Sequence, residues 1–105
     1  MPDTQRGLED GLRKAIPYFD QAIAKDPGDA EAHVGLAETY LELSSNYARP
    51  HDVMPMAKAA AATALKLDDT LADAHAAMGF IHLFYDWDAP AAERELARAI
   101  QLNPR

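Results

Sequence analysis

Three stretches of this chain share one spacing. In "AIPYFDQAIAKDP" (15–27), Ala15, Phe19, Ala22 and Pro27 follow one another at intervals of four, three and five. The same intervals separate Ala57, Ala61, Ala64 and Asp69 in "AKAAAATALKLDD", and Ala92, Leu96, Ala99 and Pro104 in "AERELARAIQLNP". Intervals of three and four put residues on one side of an α-helix, and the closing Pro or Asp stops it so that the chain can turn. A second register runs in phase with the first: "DAEAHVGLAETY" (29–40) lies over "LADAHAAMGFIH" (71–82), with Ala32 and His33 over Ala74 and His75. Small residues let helix backbones approach, and the large residue beside them fills the gap. One such helix pair cannot bury its own apolar face, so the pattern demands stacking.

Apolar residues keep helical spacing throughout, Ala is abundant and Val occurs only at positions 34 and 53, so no strand is expected. Five main helices are expected, at about 12–25, 30–43, 52–67, 71–85 and 89–102. Residues 1–11 form a flexible or helical lead, and 12–105 one domain. Pro17 falls in the first turn of the first helix, where a missing N–H costs least. Asp29 and Asp88 are N-caps, Thr70 with Asp73 is a capping box, and Pro90 occupies a first turn. "SSNYARPHD" (44–52) reads as a loop, and Pro55 as a bend near the start of the third helix. The other connections are short, which makes neighbouring helices antiparallel.

The repeat resembles the tetratricopeptide repeat, a helix–turn–helix unit of about 34 residues. The resemblance runs from Leu12 to Arg105. It implies an all-α fold of antiparallel hairpins stacked as a short right-handed α-solenoid, about two and a half repeats long. Departures include His33 and His75 at an aromatic position, Ala37 for Gly, Ala61 for a bulky residue, Asp69 for Pro, and about eight extra residues near 44–52. Tyr47 or a Met of "VMPM" is expected to fill the space beside Ala61. The stretch from Gly79 to Pro104 is also similar to repeat arrays attached to bacterial transcriptional regulators, nucleotide cyclases and protein kinases. The array lacks a first helix for its first hairpin and ends where another hairpin would start. Leu96 and Ile100 are therefore expected to be uncovered and open to self-association as a homodimer.

In this family the first helix of each hairpin lines a concave groove that binds peptides. The resemblance carries that role to Glu31, Val34, Glu38, Leu41 and Glu42, and in the next hairpin to Asp73, Ala76, Phe80, Leu83 and Phe84. Such a groove is acidic with an aromatic floor. It suits a basic or amphipathic protein segment, because acidic walls attract cations and aromatics anchor apolar side chains. Within "FYDWD" (84–88), Trp87 is read as packing and Tyr85 as the better interface residue.

Composition narrows the remaining classes. The formal net charge of −7 disfavours nucleic acid and anionic membrane surfaces. Cys is absent, which removes disulfides and cysteine metal sites. The polar, acidic start is unlike a signal peptide, and no window is apolar enough for a membrane span, so a cytoplasmic protein is expected. Ser44 and Ser45 lie in no nucleophile elbow and the five glycines form no phosphate loop. No catalytic residue and no cofactor is expected. A metal-dependent enzyme built on His75, His82 and Asp86 is the remote alternative; packing or hydrogen bonding by the two repeat-equivalent histidines is the simpler reading.

Overall fold

The computed structural model describes residues 2–104; Met1 and Arg105, the outermost residues of the expected lead and domain, lie outside the described residues. Five helices follow in order: α1 (Pro2–Lys25), α2 (Ala30–Asn46), α3 (Pro50–Leu67), α4 (Ala72–Phe84) and α5 (Ala89–Leu102). Among the described residues there is no strand. The closest pairings are α2 with α3 and α4 with α5; α1 packs on α2, α3 on α4, and α2 touches α4. That is two hairpins stacked in sequence with a single helix laid before them, an all-α, tetratricopeptide-like solenoid.

Alanine makes the stack tight. Ala57, Ala61, Ala64 and Ala74 are fully buried. Ala61 and its neighbour Ala60 on α3 share one buried cluster with Ala37 of α2 and with Ala77 and Met78 of α4. The equivalent Ala22 and Ala99, on the outermost helices, are only half-buried, because each has neighbours on fewer sides. The end helices carry larger residues at the Ala61 position and compensate with glycine opposite. A Cβ on Gly35 would stand 2.4 Å from the Phe19 ring, and one on Gly79 2.8 Å from Leu96 Cγ and 3.3 Å from the Ala92 carbonyl oxygen. These are contacts that an alanine cannot occupy without displacing a neighbour.

The two histidines at the repeated position do the same work. His33 donates from Nε2 to the Pro27 carbonyl at 3.1 Å, and His75 from Nε2 to the Asp69 carbonyl at 2.7 Å. Pro27 and Asp69 are themselves equivalent, so each histidine ties its helix to the turn that precedes it. Both aspartate N-caps form: Asp29 Oδ1 accepts from the Ala32 N–H and Asp88 Oδ1 from the Ala91 N–H.

Several expectations are corrected. Helix α1 starts at Pro2, so Pro17 is mid-helix and exposed, where its missing N–H removes one hydrogen bond of the helix. The 44–52 loop shrinks to 47–49, because α2 extends to Asn46 and α3 starts at Pro50, whose ring suits a first turn. The extra residues thus lengthen both helices of the middle hairpin. The Thr70–Asp73 box does not form. Leu71 is the N-cap, without a side-chain bond, and Thr70 donates to Asp68 Oδ1 from its N–H at 3.0 Å and its hydroxyl at 2.5 Å. The residue beside Ala61 is Met78; Tyr47 and Met54 lie further along, around Leu43, Ala57 and Ile81.

Candidate functional site

The exposed side of α2 and α4 is concave. Glu38, Leu41 and Glu42 from α2 face Asp73, Ala76, Ala77 and Phe80 from α4 across a groove of about 460 Å³, closed at one end by Ser45 and Asn46. Their spacing explains the convergence. Glu38, Leu41, Glu42 and Ser45 recur at three, one and three residues, a single stripe on one helix, and Asp73, Ala76, Ala77 and Phe80 repeat that stripe on the other. A second hollow continues from the first, sharing Glu38 and Asp73 and adding Glu31, with Phe19, Gly35 and Leu71 in its walls. Among the described residues no Lys or Arg lines either hollow.

This crowding of acids has an electrostatic cost. The Glu38 carboxyl is pushed above its ordinary range, first by loss of solvent between the walls and then by the Asp73 and Glu42 carboxylates.

Not every expected groove residue is placed there. Val34 is buried against Ala64 and Ala74 and lines the second hollow, away from the first. Leu83 turns to the other side of α4 and lines a separate groove with Leu96 and Ile100 on α5. Phe84 is 58% exposed and stands beside Phe80, ring centroids 4.6 Å apart, as an aromatic ridge at the groove's edge. Leu96 and Ile100 are exposed.

The turn after α4 reverses the reading of its two aromatics. Tyr85 is half-buried against the cluster around Ile81, while Trp87 is 86% exposed and adopts φ 57°. The turn forces this: Asp86 N–H bonds back to Ile81 O and Asp88 N–H to His82 O, so the residue between must take the left-handed conformation. For a bulky L-residue that costs about 1–2 kcal/mol. The run of flanking aspartates, one engaged in the turn and one in a cap, was the available signal. Trp87→Gly should leave thermal stability unchanged or raise it by up to about 1 kcal/mol in a denaturation experiment, since little burial is lost and strain is relieved. A loss of more than that would show that the indole packs.

The histidines form no metal set. Among the described residues no group of three or more His, Asp or Glu side chains is arranged to hold a metal. His75 has both ring nitrogens engaged, by the Asp69 carbonyl and by Glu95 Oε2 at 2.6 Å. His82 donates to Asp86 Oδ2 at 2.9 Å, and the Lys58 ammonium meets the same oxygen at 2.8 Å. Lys58 chiefly, then His82, holds the Asp86 carboxyl below the usual carboxylate range. This trio clamps α3 to the α4–α5 turn.

A family model for the tetratricopeptide repeat matches residues 11–44, which span α1 from Gly11, the "DPGD" turn and most of α2. Residues 11–44 are thus similar to a tetratricopeptide repeat. The match falls on the α1–α2 pair, the first of the two turns tied by a repeated histidine, and α3–α4 repeats its residues and its hydrogen bond. No curated protein matches the chain. Tetratricopeptide repeats generally mediate protein–protein interaction, and no helix among the described residues is long and apolar enough to cross a membrane.

Proposed function

We propose that this protein is a non-enzymatic interaction module of the tetratricopeptide kind that binds a basic or amphipathic protein segment along α2 and α4. The observation that carries the reading is the alignment of Glu38, Glu42 and Asp73 on facing walls, with Phe80 at one end and no cation among them. The occupant is thereby given a direction. A basic side chain lies among the acids, and an apolar one lies on the Phe80–Phe84 ridge. Asp73 and Phe80 are seven residues apart on α4, an axial distance of about 10 Å. An extended peptide covers that in about three residues, so a Lys or Arg followed three positions later by Leu, Phe or Trp fits the spacing.

The test is a peptide array of that form, followed by titration of the best binder. Reversing both Glu38 and Glu42 to Lys should weaken binding at least tenfold at low salt, and less at high salt, where screening already weakens the wild-type contact. Binding should also fall with pH as Glu38 takes up its proton, beginning above the ordinary glutamate range because burial and its acidic neighbours raise its pKa. An affinity indifferent to both charge reversals would remove the groove from consideration.

A further inference from the structure

The outer side of α5 repeats, position for position, the surface on which α4 sits. Leu83 corresponds to Leu41, Ala92 to Ala57, Leu96 to Ala61 and Ile100 to Leu65. In the middle hairpin these positions hold a helix: Ala57 packs with Ile81, Ala61 with Ala77 and Met78, and Leu41 and Leu65 close on the same residues. In the last hairpin their counterparts line an open, apolar groove of about 340 Å³, in which Ile100 is 64% exposed. The charge at its rim differs. Where Lys58 of α3 meets Asp86 just beyond the end of α4, the last hairpin has Glu93, among the described residues the one charged side chain lining the groove.

We infer that this groove seats an amphipathic α-helix of another protein, with the residue pattern of α4 but a basic residue where α4 is followed by Asp86. With α4 as template, the guest helix carries small residues at the Ala74 and Ala77 positions, bulky apolar residues at the Met78 and Ile81 positions, and Lys or Arg nine residues after the second small one. The small residues are required because Leu96 is larger than Ala61 and leaves less room. The basic residue answers Glu93 across the same gap that Lys58 and Asp86 bridge at 2.8 Å.

A second copy of this chain fits poorly. Its α4 is already buried on its own α3 and would bring Asp86 against Glu93; its α2 is covered by α1, with Phe19 over Gly35, and places Ser44 at the charged position. The inference is independent of the α2–α4 groove, which lies on a different side and has acidic instead of apolar walls.

The experiment uses the whole chain and synthetic peptides with the sequence of residues 70–88, made soluble by Phe80→Gln and Phe84→Gln. One peptide keeps Asp86, one carries Asp86→Lys, and one carries Asp86→Lys with Ala77→Leu. Fluorescence anisotropy should show the Asp86→Lys peptide binding about two- to fivefold more tightly than its parent, the range of an exposed ion pair. Glu93→Lys in the protein should invert that order, and the Ala77→Leu peptide should not bind. Ile100→Glu, or Ala97→Glu if the former melts early, should weaken binding at least tenfold with helicity unchanged. Binding that survives both of these variants would mean that the peptide exchanges into the α3 seat, and the inference fails. It fails equally if no peptide binds, if Glu93→Lys leaves the order unaltered, or if the protein alone forms a dimer that Ile100→Glu dissociates.

Discussion

Ile81→Ala is expected to destabilise the protein by about 3 kcal/mol, the middle of the range for deleting a large aliphatic side chain from a closed core. Ile81 has no exposed surface and is surrounded by Tyr40, Leu43, Met54 and Ala57, so it belongs to α4 but is enclosed by the preceding hairpin. The neighbours that ring the resulting cavity are held by two long helices and cannot collapse into it. Small domains are stable by about 5–15 kcal/mol in total, so the loss is a large share, and it falls on the joint between hairpins. Urea denaturation followed by circular dichroism measures it. A second expectation follows from where the residue sits: the transition should broaden, because the last hairpin is freed from the rest and unfolding loses cooperativity, as nearest-neighbour stacking predicts. A cost below about 1 kcal/mol with an unchanged transition would mean that the two hairpins are not joined through this cluster.

How much of this was legible in the sequence depends on the range of the interaction that decides each feature. The Ala15–Phe19–Ala22–Pro27 spacing and its two copies are local patterns, and they gave the number of helices, the turns at 26–29 and 86–88, and the caps at Asp29 and Asp88. The repeat of His33 at His75 was visible as well, and the hydrogen-bonding reading of that position matches the bonds to Pro27 and Asp69. Helix ends were less legible. The polar "SSN" after Leu43 contains no breaker, so α2 simply continues until Tyr47, with Ser45 Oγ bonding the Leu41 carbonyl instead of opening a loop. Thr70 failed as a cap because Asp68, two residues earlier, offers its N–H and hydroxyl a closer acceptor.

Features set by contacts between helices were the least legible. Position 34 lines the second hollow, but α3 and α4 also bring Ala64 and Ala74 onto Val34 and bury most of it, which the stripe of α2 drawn alone does not show. Leu83 is on the right helix and the wrong face, because the groove stripe runs through Ala76 and Phe80 and leaves Leu83 toward α5. Trp87 was misread for a different reason. Large aromatics are usually buried, yet the hydrogen bonds that turn the chain at Asp86 and Asp88 leave the residue between them pointing outward. The shared stripe of Glu31, Glu38 and Glu42 needed only the helical period; that this stripe faces a groove was implied by the resemblance to the repeat family.

The sharpest test of the repeat itself is Ala61→Leu. Ala61 is fully buried, in one cluster with Ala37, Ala77 and Met78, in a space measured for a methyl group. Overpacking of this kind costs about 1–3 kcal/mol, and the upper end is expected because backbone of three helices must separate to admit the added atoms. The outer repeats show how the same position accepts a larger residue: Phe19 faces Gly35, and Leu96 faces Gly79. Gly35 corresponds to Ala77. Transplanting that solution, Ala61→Leu with Ala77→Gly, should recover part of the loss even though glycine inside a helix itself costs about 1 kcal/mol. Measured as a double-mutant cycle, the two changes should couple by at least about 1 kcal/mol in the favourable direction, since residues in direct contact depart from additivity by that order. Were the two costs simply to add, Ala61 and Ala77 would not share one volume, and the internal equivalence that underlies the α5 seat would lose its physical basis along with them.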